Sequence, residues 1–166
     1  MNAYAVAASA IFPLFVRRPA YGHPVAWLAG AMDGQLPDIE FAFPGPLRDR
    51  LVSAIQTGAK TATSSLLCEY KVGDESLPVV GTRGAVVDSG GRPVAVIEII
   101  AVRIVALQDV PLEHALAEGE GYTSIADWRD GHTAFWTSGP MRAELGEDFV
   151  LTDSSLVVLE QFILAR

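Results

Sequence analysis

Residues 81–105, GTRGAVVDSGGRPVAVIEIIAVRIV, decide the fold class. Arg83–Val87 and Val94–Val105 are runs rich in β-branched residues, and Ser89-Gly90-Gly91 between them is a strong turn signal, so the stretch reads as two paired strands. The second run is long, and near Val94–Ile100 it is apolar on both faces. A strand of that kind is covered on both sides or bends around a small barrel. A later run, Ser155–Leu164 (SLVVLEQFIL), predicts another core strand.

Helices flank these strands. In residues 46–57, PLRDRLVSAIQT, an apolar stripe of Leu47, Leu51, Val52 and Ile55 recurs at helical spacing. Pro46 suits the first helical turn and Gly58 the C-terminal cap. Pro111–Ala117 predicts a short helix that stops at Gly119. Ser124 with Asp127 resembles a capping box, Asp standing where Glu or Gln is usual. The helix it opens, Ile125–Trp136, aligns Ile125, Trp128, His132 and Phe135 on one face. Lys60–Tyr70, rich in Thr, Ser and Leu, predicts a strand or an ordered loop. Strands interrupted by helices give an α+β class, here a small β-barrel flanked by helices.

Upstream, residues 17–46 hold five prolines and read as a connector with at best a short helix around Val25–Met32. Residues 3–16 are mostly apolar and are followed by Arg17 and Arg18. A secretory signal carries its positive charge before the apolar stretch, and Pro13 interrupts this one. The segment therefore reads as a packed or partner-contacting extension, with a signal-like segment as the alternative.

Composition narrows the function. A chain of 166 residues, half of them hydrophobic, predicts one domain with a core of its own and excludes intrinsic disorder. Its one cysteine, Cys68, excludes a disulfide framework or a Cys-rich zinc site. His23 and His114 lack metal-ligand spacing, so neither a metal nor a cofactor is expected. Walker A, G-x-S-x-G, dinucleotide and HExxH motifs are absent. The net charge of −8 argues against a broad nucleic-acid surface and against DNA as a partner, while leaving room for RNA in a local basic groove. With no run of about 18 apolar residues free of charges and breakers, no membrane helix is expected and a cytoplasmic location follows.

Three places carry candidate chemistry. Lys60 is one of only two lysines and stands at a helix end beside the hydroxyls of Thr61, Thr63 and Ser64. Its amine can bind an anion, or serve as a base beside a hydroxyl nucleophile. The alternative is a lysine at a helix C-terminus followed by strand-forming threonines. Glu118-Gly119-Glu120-Gly121 sets two carboxylates on a pliable backbone, where like charges can push one of them toward acid–base work; the alternative is a solvated acidic loop. Trp128, Arg129 and His132, with Tyr70 elsewhere, are candidates to stack on or contact a base, against the alternative of a hydrophobic core with His132 bonded at its edge.

Taken in order, Gly58-Ala59-Lys60-Thr61-Ala62-Thr63, Glu69-Tyr70, Leu77-Pro78-Val79-Val80-Gly81, Val87-Asp88, residues 91–97, Ala117-Glu118-Gly119-Glu120-Gly121 and Ala126-Asp127-Trp128-Arg129 with His132 resemble an ASCH-domain protein of the larger bacterial type. The resemblance runs from about Glu40 to Arg166 and leaves residues 1–39 as an extension outside it. It implies a PUA-like barrel with helices around a ligand cleft that takes a nucleoside or RNA. Some small members hydrolyse the amide of N4-acetylcytidine, and their catalytic lysine, threonine and glutamate fall on Lys60, Thr63 and Glu120. Other, larger members are metal-dependent ribonucleases. The resemblance thus implies an amidohydrolase on N4-acylated cytidine or a similar small amide, with an RNA-binding module, a ribonuclease or a member serving another metabolite as alternatives. Thr63 would attack the acyl carbon, Lys60 would take its proton, and Glu120 would position the amide or relay a proton to the leaving amine. Thr61, Ser64, Tyr70, Glu118, Trp128, Arg129 and His132 would bind the substrate. In a flat strand residues 60 and 63 face opposite ways, so this pairing requires a bend between them.

Overall fold

The computed structural model describes residues 16–17 and 36–165. The apolar stretch 3–15 and the expected short helix at Val25–Met32 lie outside them. Five strands form a mixed sheet: β2 (Asp38–Phe41), β3 (Ala62–Leu66), β4 (Arg83–Val87), β5 (Pro93–Ala106) and β6 (Leu156–Leu164), with a two-residue strand β1 (Val16–Arg17) on the outer edge of β2. The order is β1-β2-β4-β5-β6-β3; β2 pairs with β4 in parallel and the other pairs are antiparallel.

The expected hairpin is β4–β5. Its turn closes where the Asp88 carboxylate accepts from the Gly90 and Arg92 backbone N–H groups at 2.9 and 3.0 Å. β5 is long because it serves two partners: its first half pairs with β4, and from Ile97 onward it runs beside β6. Register shifts at Val86/Val87 and Ile99/Ala101 bend it.

That bend does not close a barrel. Among the described residues the two ends of the sheet do not pair, and β3 joins β6 alone. Just before β3, the Thr61 N–H donates instead to the Ala117 carbonyl at 2.8 Å. The architecture is therefore an open α+β sheet, which corrects the expected barrel.

Helices cover the sheet. Helix α1 (Pro46–Gln56) has proline in its first turn, as read, and buries Leu51, Val52 and Ile55. With Ile39, Phe41, Val86, Ile97 and Phe162 these form one core. A second core lies under α3 (Leu112–Ala117), α4 (Ile125–Trp136) and α5 (Gly139–Leu145), where Trp128, Phe135, Trp136 and Met141 pack with Leu66, Val157 and Leu159. A short helix, α2 (Leu67–Val72), follows β3 directly, and the Leu66 N–H donates to Glu69 Oε1 at 2.7 Å at its start. No helix of the described residues is long and apolar enough to cross a membrane.

Candidate functional site

The glycine after α3 builds the site. Gly119 has φ +65°, and a Cβ on it would overlap the Ala59 carbonyl oxygen. Only a glycine lets the 118–120 turn lie directly on the backbone that carries Lys60. Lys60 Nζ consequently donates to Glu120 Oε1 at 2.8 Å and to the Glu118 carbonyl at 3.3 Å. Both partners of this ion pair have side chains fully shielded from solvent.

Beside it, the Glu118 carboxylate is gripped from several sides. Its Oε1 accepts from Ser64 Oγ at 2.6 Å and from Trp128 Nε1 at 3.0 Å. His114 Nε2 lies 3.0 Å from Ser64 Oγ and 3.3 Å from the same carboxylate oxygen. Because Ser64 gives its hydrogen to Glu118, His114 Nε2 is the donor toward Ser64. His132 Nε2 stands 3.2 Å from Glu118 Oε2, an ion-pair separation without hydrogen-bond alignment. The His132 ring is fixed by a 3.0 Å contact from Nδ1 to the Trp128 carbonyl and stacks on the Trp128 indole at 4.0 Å.

These surroundings drive two neighbouring carboxylates in opposite directions. Burial alone would raise the Glu118 pKa, but His132, His114 and Lys60 together hold it well below the usual range. Glu120 is raised, first by burial and then by the charge of Glu118, against the pull of Lys60. Burial, then Glu120 and Glu118, raise Tyr122 as well. Glu120 Oε2 and the Tyr122 hydroxyl are buried without a hydrogen-bond partner.

Six of the ten residues singled out from sequence meet here: Lys60, Ser64, Glu118, Glu120, Trp128 and His132. Thr61 adjoins them through its hydroxyl, which donates to the Ala117 carbonyl at 3.3 Å. Thr63 is different. It is buried, its Oγ1 bonds to nothing, and no hydrogen bond joins it to Lys60. As the strand neighbour of Ser64 it faces the other side of β3, together with Ser65, whose Oγ is 2.9 Å from the Tyr70 hydroxyl. Tyr70 in turn donates to Glu160 Oε1 at 3.2 Å. Arg129 is turned away from the cluster: it pairs with Asp153 and lines a groove of about 490 Å³ together with Asp130, Thr133 and Arg142. The tryptophans of α4 are fully buried and pack on His132 and on each other, which is the core alternative for this stripe.

Sequence reading missed two participants. His114 was weighed only as a metal ligand, although its position four residues before Glu118 in a helical stretch brings it beside that carboxylate. Glu160 is a lone acid inside an apolar strand, and that interruption was the signal. Among the described residues, no three His, Cys, Asp or Glu side chains are arranged to hold a metal ion.

Comparisons with known proteins agree with this fold. A family model described as the ASCH domain matches residues 40–166. The crystal structure of an ASCH domain from Lactobacillus crispatus JV V101 is 31% identical, covering 76% of this chain and 77% of that one, with a TM-score of 0.67. The crystal structure of a protein from Enterococcus faecalis V583 is 28% identical, covering 72% of this chain and 69% of that one, with a TM-score of 0.63. No curated protein matches the chain.

Proposed function

The chain belongs to the ASCH domain family, and on that premise we propose that it is an amidohydrolase acting on a small neutral amide of the N4-acylated cytidine class. The observation that carries this reading is the buried Lys60–Glu120 pair, 2.8 Å apart and without solvent contact. A buried ion pair is a poor device for stability, because desolvation offsets most of the attraction. A lysine beside a carboxyl of raised pKa is instead suited to exchanging protons with a reacting amide. The second support is Thr63 Oγ1. A buried hydroxyl without a partner costs roughly 1–3 kcal/mol, which is accounted for if the hydroxyl is kept for a reaction.

In this reading Thr63 Oγ1 attacks the acyl carbon. The Lys60–Glu120 pair supplies the proton with which the amine departs, and water then opens the threonine ester. β3 is the terminal strand of the sheet, so its outer edge is where a bound amide can touch side chains from either face. Glu118, held by Ser64, His114 and Trp128, keeps the adjoining turn in place and supplies the charge that helps raise Glu120. A neutral substrate also suits the acidic surroundings: residues 109–153 carry ten acids against Arg129 and Arg142.

The test is to mix the protein with N4-acetylcytidine and follow cytidine release by chromatography. Catalytic release is expected. No release, together with salt-dependent binding of a short single-stranded RNA, would favour a nucleic-acid module instead.

A further inference from the structure

We propose that Glu160 is the general base for the Thr63 hydroxyl, a role that rests on the amide-hydrolysis reading above. Lys60 was assigned that task from sequence, but Lys60 and Ser64 both engage Glu118, while Thr63 belongs to the other face of β3. On that face the register of β3 against β6 pairs Thr63 directly with Glu160. Cross-strand partners on one face hold their Cβ atoms about 4.5–5.5 Å apart, a span a glutamate side chain bridges.

The chemistry of this face is that of a built site. Glu160 is only 4% exposed and sits between Leu159 and Phe162, both also buried. A carboxylate in such surroundings is costly unless polar groups hold it. Tyr70 does so, donating to Glu160 Oε1 at 3.2 Å. Since the Tyr70 hydrogen is used there, Ser65 is the donor across the 2.9 Å contact with the Tyr70 oxygen. The chain Ser65 to Tyr70 thus reaches the Glu160 carboxylate, which is in register with a buried threonine hydroxyl that has no hydrogen-bond partner.

The protons balance with two separate stations. As the bond from Thr63 Oγ1 to the acyl carbon forms, the hydroxyl proton passes to Glu160. As the C–N bond breaks, the amine leaves with a proton from the Lys60–Glu120 pair. Water then attacks the ester, its proton restores the pair, and Glu160 returns its proton to Thr63 Oγ1 as the acid departs.

Two measurements test this. Glu160→Gln is expected to lower kcat for N4-acetylcytidine by roughly 100-fold with KM and Tm little changed, and Glu160→Asp to recover part of the loss. An unchanged kcat, or a loss that follows Tm and is not recovered by Asp, overturns the proposal. The second measurement needs no substrate. In a Cys68→Ala background, the pH dependence of iodoacetamide alkylation is followed for Thr63→Cys with and without Glu160→Gln. Removing a neighbouring negative charge is expected to lower the thiol's apparent pKa by about one unit. An unshifted thiol overturns the pairing of Glu160 with position 63, whereas absent cytidine release from the unaltered protein overturns the amide reading, so the two failures are told apart.

Discussion

Gly119 is the residue on which the candidate site closes. At φ +65° and against the Ala59 carbonyl it tolerates no side chain. Gly119→Ala is expected to lose at least ~1–2 kcal/mol from the backbone conformation alone, more from the overlap, and to abolish activity by displacing Glu120 from Lys60. Chemical denaturation and cytidine release check it; an unaltered midpoint and rate would contradict it. At this scale the sequence was informative about residue types and weak about partners. The scarcity of lysine and the glycine-flanked acids marked Lys60 and Glu120, and the structure joins them over sixty positions of chain. The same reading took Glu118 for a substrate contact; its Oε1 accepts from Ser64 and Trp128, while its Oε2 has no hydrogen-bond partner. The resemblance implied that Thr63 and Lys60 act together, which required a bend between them, whereas strand alternation turns Thr63 toward the face of Ser65 and Glu160. Long-range pairing of this kind is set by register, which a single sequence does not carry.

At the scale of elements, local signals sufficed where they were strong. The hairpin turn, Pro46 and Ser124 each begin or end an element close to the expected residue. The Ser124 side chain accepts from the Asp127 N–H at 3.1 Å, so Ser124→Ala is expected to cost about 1 kcal/mol in a denaturant titration, with no change if the cap is idle. Less visible were β2, four residues inside a proline-rich connector, and α5, whose opening Gly139-Pro140 reads as a breaker although proline is at home in a first helical turn. Helix α2 was hidden because it follows β3 without a turn. Glu69 within it has a pH signature. Burial pushes its carboxyl from 4.5 up to about 8, with Glu144 and Glu75 adding to the rise and the Leu66 N–H opposing it. A folded-state pKa raised above the unfolded one gives stability that is complete below the unfolded value and is lost as pH climbs through the folded one. The Tm of Glu69→Gln should therefore gain on that of the unaltered protein between about pH 4.5 and 8; a difference independent of pH would contradict the assignment.

For the whole molecule, composition and pattern gave the class but not the closure. A strand apolar on both faces fits a barrel wall and equally a sheet covered on both sides. β6 is of the second kind over Val157–Glu160, where successive residues are buried, whereas β5 buries only Ile97 and Ile99 and leaves Ile100 and Ile104 exposed, so the expected two-sided burial near Val94–Ile100 is not met. The two sides of β3 carry separate polar groups: Lys60, Ser64, Glu118 and Glu120 toward the 118–120 turn, and Thr63, Ser65, Tyr70 and Glu160 toward α2. The proposed hydrolysis draws on both faces of this terminal strand. Steady-state cytidine release by folded Lys60→Met beside the unaltered protein tests this most directly. A fall of about 10²–10⁴-fold at similar Tm is predicted, and an equal rate in the two proteins would contradict the account.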